Sequence, residues 1–259
     1  MEVTSYAPGT PSWVDLGTSD AVAGAAFYSA LFGWEINEGP PEAGGYRMCM
    51  LNGHPVAGMG PQMNADMPPY WTTYVSVVDA DAATTAVTDA GGQVLLPPMD
   101  VLDVGRMAIF MDPTGAAISA WQPRAHIGAG LVNEPGTLCW NELATRDTDA
   151  AEAFYAAVFG WGANKSDMGA FMYTEYTVDG RGIAGMMPMG EEFPPEVPPH
   201  WLVYFAVADC DASAALVTEL GGQIHVPPSD IPMVGRFALC QDPQGAMFSL
   251  MALDPARAA

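Results

Sequence analysis

The sequence predicts an α+β protein built from four βαβββ modules, which pair into two cupped half-barrel domains with their helices outside. The first observation is a duplication, because Trp13 and Trp34 return as Trp140 and Trp161 within matching blocks, each 127 positions later. The second is a finer repeat, in which four aspartates are each followed 13 residues later by a glycine. Repeats at two levels indicate that one supersecondary unit occurs four times.

The duplication also predicts where the domains lie. After an insertion of three residues in the second copy, Gly105-Arg106 returns as Gly235-Arg236 and Asp112 returns as Asp242, now 130 positions later. We expect a first domain at residues 1–124, a linker at 125–136 and a second domain at 137–259. Each domain is large enough to have its own apolar core.

The first module is predicted element by element from the positions of its caps and turns. A strand at 12–17 precedes Asp20, whose side chain suits the N-cap of a helix over 21–32, and Gly33 suits the end of that helix. Strands follow at 34–37, 46–51 and 56–60, and the pair Asn52-Gly53 is a strong signal for a hairpin between the last two.

The other three modules repeat this order. Strands at 71–78, 138–144 and 201–208 each precede a helix-capping aspartate, and the glycines expected to end the helices are Gly92, Gly160 and Gly222. A single module would expose one apolar sheet face to water, whereas two modules side by side can close into a cup. The concave face of each cup is then a natural pocket for a small ligand.

Composition narrows the range of partners. The net charge of −22 repels phosphate backbones and anionic lipids, so we expect no nucleic-acid and no membrane partner. The chain begins without the basic and apolar regions of a leader peptide, which predicts a cytoplasmic protein. The four cysteines form no C-x-x-C pair and are expected to be buried, reduced thiols.

Three motifs carry a resemblance to a known family. They are the helix end A-x-F-Y-x-x-x-F-G-W from Ala25 to Trp34, the D-P-x-G turn at Asp112 and Asp242, and the openings G-T-P-S-W-V-D-L and G-T-L-C-W-N-E-L. With paired βαβββ modules, they resemble the vicinal oxygen chelate superfamily, which includes glyoxalase I, bleomycin-resistance proteins and extradiol dioxygenases. The tandem form most resembles two-domain glyoxalase-like proteins of actinobacteria, often labelled hydroxylase-like or culture-filtrate antigens.

The resemblance implies a divalent metal held in the cup by His and Glu, but this sequence departs from that pattern. The positions that match the family's ligands hold other residues, namely Trp13, Thr72 and Ser119 in the first half and Trp140, Leu202 and Ser249 in the second. Trp and Leu cannot ligate a metal, and Ser is a poor ligand for zinc, nickel or iron. We therefore expect no metal and no other cofactor. The alternative is a divalent metal at atypical ligands such as Asp15, Glu142 or a histidine.

Asp15 and Glu142 are the candidate catalytic residues. Alternation along a strand puts Asp15 on the face of Trp13, and Glu142 on the face of Trp140. A carboxylate among apolar neighbours has a raised pKa and suits a general base. The structural alternative is that both carboxylates accept hydrogen bonds from backbone or from an arginine.

The remaining candidates are ligand-binding residues. Tyr74 and Tyr204 recur on matching strands, where a phenol can bond a substrate carbonyl or fill the core. Arg106 and Arg236 can hold an anionic ligand, or can pin a loop by pairing either with Asp100 and Asp230 or with Asp112 and Asp242. Trp121 and Met251 end matching strands and should give the two cups different shapes. With the residues at the metal-ligand positions, these complete the predicted ligand-binding set.

These observations predict a protein that binds a small, largely apolar or aromatic metabolite. Turnover is left open: the activity, if any, is a metal-independent acid–base step of the isomerase, lyase or cyclase type. One alternative is a metal-dependent glyoxalase-like lyase or an oxygenase, and another is a protein that sequesters a drug. Because modules pair within the chain, either a monomer or a homodimer is compatible with the sequence.

Overall fold

The computed structural model describes residues 1–64 and 66–254, and they form four βαβββ modules in two halves. The elements of the first half are β1 Pro11–Thr18, α1 Ala21–Phe32, β2 Glu35–Glu38, β3 Arg47–Leu51, β4 His54–Pro61, β5 Tyr70–Ser76, α2 Ala80–Asp89, β6 Gln93–Val101, β7 Gly105–Met111 and β8 Ala117–Pro123. Those of the second half are β9 Leu138–Thr145, α3 Thr148–Phe159, β10 Gly162–Asp167, β11 Met172–Val178, β12 Arg181–Pro188, β13 His200–Ala206, α4 Cys210–Glu219, β14 Gln223–Ile231, β15 Gly235–Gln241 and β16 Met247–Leu253. The predicted α+β class and the four modules are confirmed.

Each half contributes one mixed sheet of eight strands. The order is β2-β3-β4-β1-β5-β8-β7-β6 in the first half, and the second half repeats it with β10-β11-β12-β9-β13-β16-β15-β14. The two modules of a half meet where β1 runs antiparallel to β5, and where β9 runs antiparallel to β13. Within each module the strand before the helix pairs in parallel with the last strand. The sheets stay open, with short or irregular strands at their edges.

The helix starts follow the sequence prediction, but two helix ends do not. Asp20, Asp79, Asp147 and Asp209 are all N-caps that accept backbone N–H bonds. Gly33 and Gly160 end their helices in the left-handed conformation, as expected. The prediction for Gly92 and Gly222 is wrong, because the left-handed residues there are Gly91 and Gly221. Gly92 is needed for space instead: a Cβ on it would lie 2.7 Å from Phe154.

Each half is large enough to have its own apolar core, but the two halves share their helix-side cores. One buried cluster joins β1 and α1 of the first half to β13, α4 and β16 of the second, and contains Tyr28, Phe205 and Phe248. A second cluster joins β5, α2 and β8 to β9 and α3, and contains Phe110 and Tyr155. The two sheets therefore share their helix-side cores and hold each other's apolar faces out of water.

Two buried tyrosines form hydrogen bonds between the halves. The Tyr28 hydroxyl donates to Oδ2 of Asp242 at 3.0 Å, and the Tyr155 hydroxyl donates to Oδ2 of Asp112 at 2.7 Å. Each hydroxyl also accepts an indole N–H, from Trp71 or from Trp201. The other oxygen of each aspartate accepts three backbone N–H groups of its own turn. The D-P-x-G turn thus connects one half to the helix of the other.

No helix in the described ranges exceeds 12 residues, and none of them combines the length and hydropathy that crossing a bilayer needs.

We predict that Tyr28→Phe and Tyr155→Phe each lower the free energy of unfolding by about 2–3 kcal/mol. Each change leaves a buried carboxylate oxygen and an indole N–H without their partner, and such losses cost more when one group is charged. Urea denaturation followed by circular dichroism measures the effect. Tyr70→Phe is the matched control, since the half-buried Tyr70 makes no hydrogen bond among the described residues. Because the cores are shared, unfolding should stay a single transition, and two separate transitions would contradict this account.

Candidate functional site

Alternation along β1 separates an apolar face from a face that carries chemistry. Val14 and Leu16 are fully buried in the shared core beside the helices. Trp13 and Asp15 point to the opposite face, which we call the cup face. Strand β9 repeats this arrangement with Trp140 and Glu142 on its cup face.

Asp15 is the centre of a hydrogen-bonded group in the first half. Its Oδ2 accepts from the Tyr74 hydroxyl at 3.0 Å and faces the Tyr46 hydroxyl at 3.4 Å. The indole N–H of Trp13 donates to the Tyr46 hydroxyl oxygen at 3.0 Å. We call Trp13, Asp15, Tyr46 and Tyr74 the first carboxylate cluster.

The second half contains the same arrangement with a longer carboxylate. Glu142 accepts from the Tyr204 hydroxyl at 2.7 Å through Oε1 and from the Tyr173 hydroxyl at 2.9 Å through Oε2. The indole N–H of Trp140 donates to the Tyr173 hydroxyl oxygen at 3.0 Å. Trp140, Glu142, Tyr173 and Tyr204 form the second carboxylate cluster. Here each carboxylate oxygen has its own phenol, so the longer side chain gives the better-paired cluster.

Tyr46 and Tyr173 were missed in the sequence, together with the glycines that make room for them. Each ring lies across the neighbouring strand: a Cβ on Gly58 would fall 1.7 Å from the Tyr46 hydroxyl, and one on Gly185 would fall 1.9 Å from that of Tyr173. The signal was present, because both pairs recur 127 positions apart in the duplication. Their role depends on a contact between strands that one sequence does not reveal.

Burial tunes the acid–base properties of both clusters. It raises the pKa of Asp15 from 3.8 to about 6, although the hydrogen bonds from Tyr74, Thr72 and Tyr46 oppose the rise. Burial raises the pKa of Glu142 as well. The pKa values of Tyr74 and Tyr204 lie well above 10, through burial first and then through the adjacent carboxylate. The phenols therefore remain protonated donors at neutral pH, whereas Asp15 titrates close to neutral pH.

Most of the other predicted ligand-binding residues share these cup faces. Thr72 and Leu202 lie opposite Asp15 and Glu142 in strand register, and Ser119 and Ser249 lie opposite Tyr74 and Tyr204. Trp121 and Met251 occupy matching positions at the ends of β8 and β16, and both are buried. The Trp121 indole donates to the His126 carbonyl at 2.8 Å, so part of this wall is already bonded to the linker.

Arg106 and Arg236 lie outside both cups. Arg106 pairs with Asp81 at the start of α2 and with Asp100, and Arg236 pairs with Asp211 and Asp230 in the same way. They pin a strand to a helix, and Asp100 and Asp230 are partners that the pinning alternative names. The alternative partners Asp112 and Asp242 are bonded to tyrosines instead.

The residues at the family's metal positions are a poor fit for a metal ion. Within residues 1–64 and 66–254, no three His, Cys, Asp or Glu side chains lie close enough to hold one ion. The donors that the first cup offers at those positions are the hydroxyls of Thr72 and Ser119, which are poor ligands for the metals concerned.

We predict that Tyr74→Phe raises the pKa of Asp15 above 6, because the largest contribution that lowers this pKa is the Tyr74 hydrogen bond. Titration of the labelled carboxyl carbon by NMR measures the change. Gly58→Ala on β4 should act in the same direction by displacing Tyr46, and Gly17→Ala on β1 is its control, since a Cβ there meets nothing closer than 3.7 Å. An unchanged or lowered pKa in Tyr74→Phe would contradict the assigned hydrogen bond.

We predict that Asp15→Asn stabilises the protein above pH 6. A folded-state pKa raised from 3.8 to about 6 favours folding at acid pH, and this stability is lost as the pH rises through 6. The ionised carboxylate then costs about 3 kcal/mol. The variant should match the parent below pH 4 and exceed its free energy of unfolding by about 1–2 kcal/mol at pH 7.5, since the amide replaces only one acceptor. Asp112→Asn, whose carboxylate is fully bonded, should destabilise at both pH values.

Comparison with known proteins agrees with this architecture. A protein of Mycobacterium tuberculosis (strain CDC 1551 / Oshkosh), provisionally named glyoxylase CFP32, is 48% identical over 253 residues, which cover 96% of each chain. The anthracycline biosynthesis protein DnrV of Streptomyces peucetius is 40% identical over 97% of this chain and 96% of its own. Among solved structures, the Mn(II)-bound glyoxalase from Novosphingobium aromaticivorans aligns with a TM-score of 0.66 at 17% identity, over 95% of this chain and 83% of that one.

The family model described as Glyoxalase/Bleomycin resistance protein/Dioxygenase superfamily matches twice, at residues 10–119 and 136–250. Each match covers one pair of βαβββ modules and one carboxylate cluster. The chain therefore belongs to the glyoxalase/bleomycin resistance protein/dioxygenase superfamily.

Proposed function

We propose that each cup binds a small, largely apolar or aromatic metabolite and that the carboxylate at its centre moves a proton without a metal. The observation that carries this proposal is the pair of carboxylate clusters, which repeat residue for residue around Asp15 and Glu142. The relatives named for anthracycline biosynthesis support a metabolite as ligand.

The chemistry of the cluster suits a general base. A carboxylate with a pKa near 6 is still ionised at neutral pH and is a stronger base than an ordinary aspartate. Two phenols, Tyr46 and Tyr74, face its Oδ2 atom, and their own protons stay bound because burial raises the pKa of each. The Trp13 indole N–H in turn donates to the Tyr46 hydroxyl oxygen and holds that phenol in place. A proton on carbon next to a carbonyl is the natural target of such a base, and its removal leads to isomerisation, cyclisation or elimination.

The cost of the clusters also supports a functional role. A desolvated carboxylate opposes folding unless it is fully paired, and an apolar side chain at these positions would avoid that cost. Within residues 1–64 and 66–254, these carboxylates are bonded by tyrosine hydroxyls and by neither a backbone N–H group nor an arginine. Perturbed carboxylates of this kind are typical of active sites.

We also propose a cytoplasmic location, with the chain acting as a monomer or a homodimer. The four cysteines are all free, in keeping with a reducing compartment.

We predict that the protein accelerates exchange of the acidic protons of 2-tetralone, an enolisable aromatic ketone, with D2O. Proton NMR measures the rate. The double variant Asp15→Asn with Glu142→Gln should lose the acceleration by about 100-fold or more, because general-base catalysis contributes 10²–10⁴-fold. Arg106→Gln, outside the cups, is the control and should keep the parental rate.

The same assay separates the alternatives. Exchange that survives in the double variant would contradict the assigned base. Exchange that disappears on chelation and returns with one divalent ion would support a metal-dependent lyase or oxygenase with atypical ligands. Tight stoichiometric binding of a ligand that is recovered unchanged, without proton exchange, would support sequestration.

A further inference from the structure

In the first half, the linker fills one end of the cup. The backbone N–H of Ala129 donates to the Ser12 carbonyl at 2.8 Å, and that of Gly130 donates to the Pro55 carbonyl at 2.7 Å. The His126 ring packs edge-on against the Trp13 indole with centroids 4.5 Å apart. We call this filled place, bounded by Ser12, Trp13 and Pro55, the first slot.

The equivalent place in the second half is a cavity. The residues 127 positions after Ser12, Trp13 and Pro55 are Cys139, Trp140 and Gly182, and all three line a space of about 650 Å³. Its other wall is the N-terminal segment, including Tyr6 and Ala7. We call this space the Trp140 cavity. The first slot shows what fits such a place: a ring against the indole and a flat backbone beside two strand ends.

A basic side chain without an ion pair lies at the mouth of the Trp140 cavity. Arg181 is exposed and lines the cavity, and among the lysines and arginines in ranges 1–64 and 66–254 it is the one whose side chain makes neither an ion pair nor a hydrogen bond. Its counterpart in the first half, His54, pairs with Glu2. Asp179 lines the same mouth and weakens the local positive charge. A guanidinium still offers a planar pair of donors that suits a carboxylate.

We propose that the Trp140 cavity is a binding site for a flat aromatic carboxylate, with the ring on Trp140 and the acid group at Arg181. The first half has no such site because the linker occupies the first slot. This site differs from the proton-transfer centre but adjoins it, since the Trp140 indole N–H is bonded to Tyr173 of the second carboxylate cluster.

Titration calorimetry with 2-naphthoate tests the site, with 2-naphthylmethanol as the neutral probe of the same shape. We expect one naphthoate per chain. Ala7→Trp should lower the affinity at least tenfold, because Ala7 is exposed and a larger side chain there fills the cavity. Thr4→Trp is the matched control, since Thr4 is exposed on the same segment and does not line the cavity.

The variant Arg181→Gln tests the role of the positive charge. It should weaken naphthoate binding about fivefold to tenfold and leave the affinity for 2-naphthylmethanol unchanged. His54→Gln, at the matching position of the first half, should change neither. Equal loss for both probes in Arg181→Gln would overturn the role of the guanidinium. Two equal sites per chain, or binding that Ala7→Trp does not affect, would overturn the cavity as the site.

The last measurement uses a chain that ends at Asp254. We expect its naphthoate affinity to equal that of the full chain. An increase of tenfold or more would show that residues 255–259 compete for the cavity, and the chain's own tail would replace the ligand as its occupant. Measuring 2-tetralone proton exchange in Ala7→Trp distinguishes failure of this binding site from failure of the proton-transfer centre. The first carboxylate cluster lies outside the cavity, so exchange should persist there whether or not naphthoate binds.

Discussion

The architecture depends on covering the helix-side face of each sheet. Two amphipathic helices are too few to cover an eight-stranded sheet, and each half completes its cover with the sheet and helices of the other. The hydrogen bonds from Tyr28 to Asp242 and from Tyr155 to Asp112 fix the relative position of the halves at the centre of these cores. With both helix-side faces buried together, the cup faces point away from the shared core.

The sequence predicted whatever depends on local physics. An aspartate before an alanine-rich segment caps a helix through its own side chain, and the four starts were correct for this reason. The choice between Gly91 and Gly92 failed because two adjacent glycines are locally equivalent, and the packing of Phe154, Val87 and Met111 around Gly92 separates them. That the halves share their cores could not be predicted for a related reason. A duplicated pattern shows that two units exist, but not that they exchange their apolar faces.

The candidate site was predicted in part. Strand alternation placed Asp15 with Trp13 and Glu142 with Trp140, and these pairs share a face. Tyr46 reaches the carboxylate from another strand by lying over Gly58, and this contact depends on strand order and register. The role of the arginines was left open because a glycine-arginine pair at a strand start looks the same whether its side chain turns to the cup or to the helix. The partner that decided it, Asp81, lies on a helix 25 residues earlier.

Equivalent places in the two halves of this duplicated chain have different surroundings. Both keep a carboxylate held by two phenols, and this arrangement opposes folding through desolvation, so its retention in both is hard to explain by stability alone. The surroundings differ: the first cup is closed at one end by the linker, whose His126 is kept neutral because burial lowers its pKa to about 4. The linker has to reach the second half, and by crossing the first slot it satisfies strand-end carbonyls that a ligand would otherwise meet. The chain connection itself therefore makes the halves unequal, and the open cavity beside Trp140 is a consequence of where the linker runs.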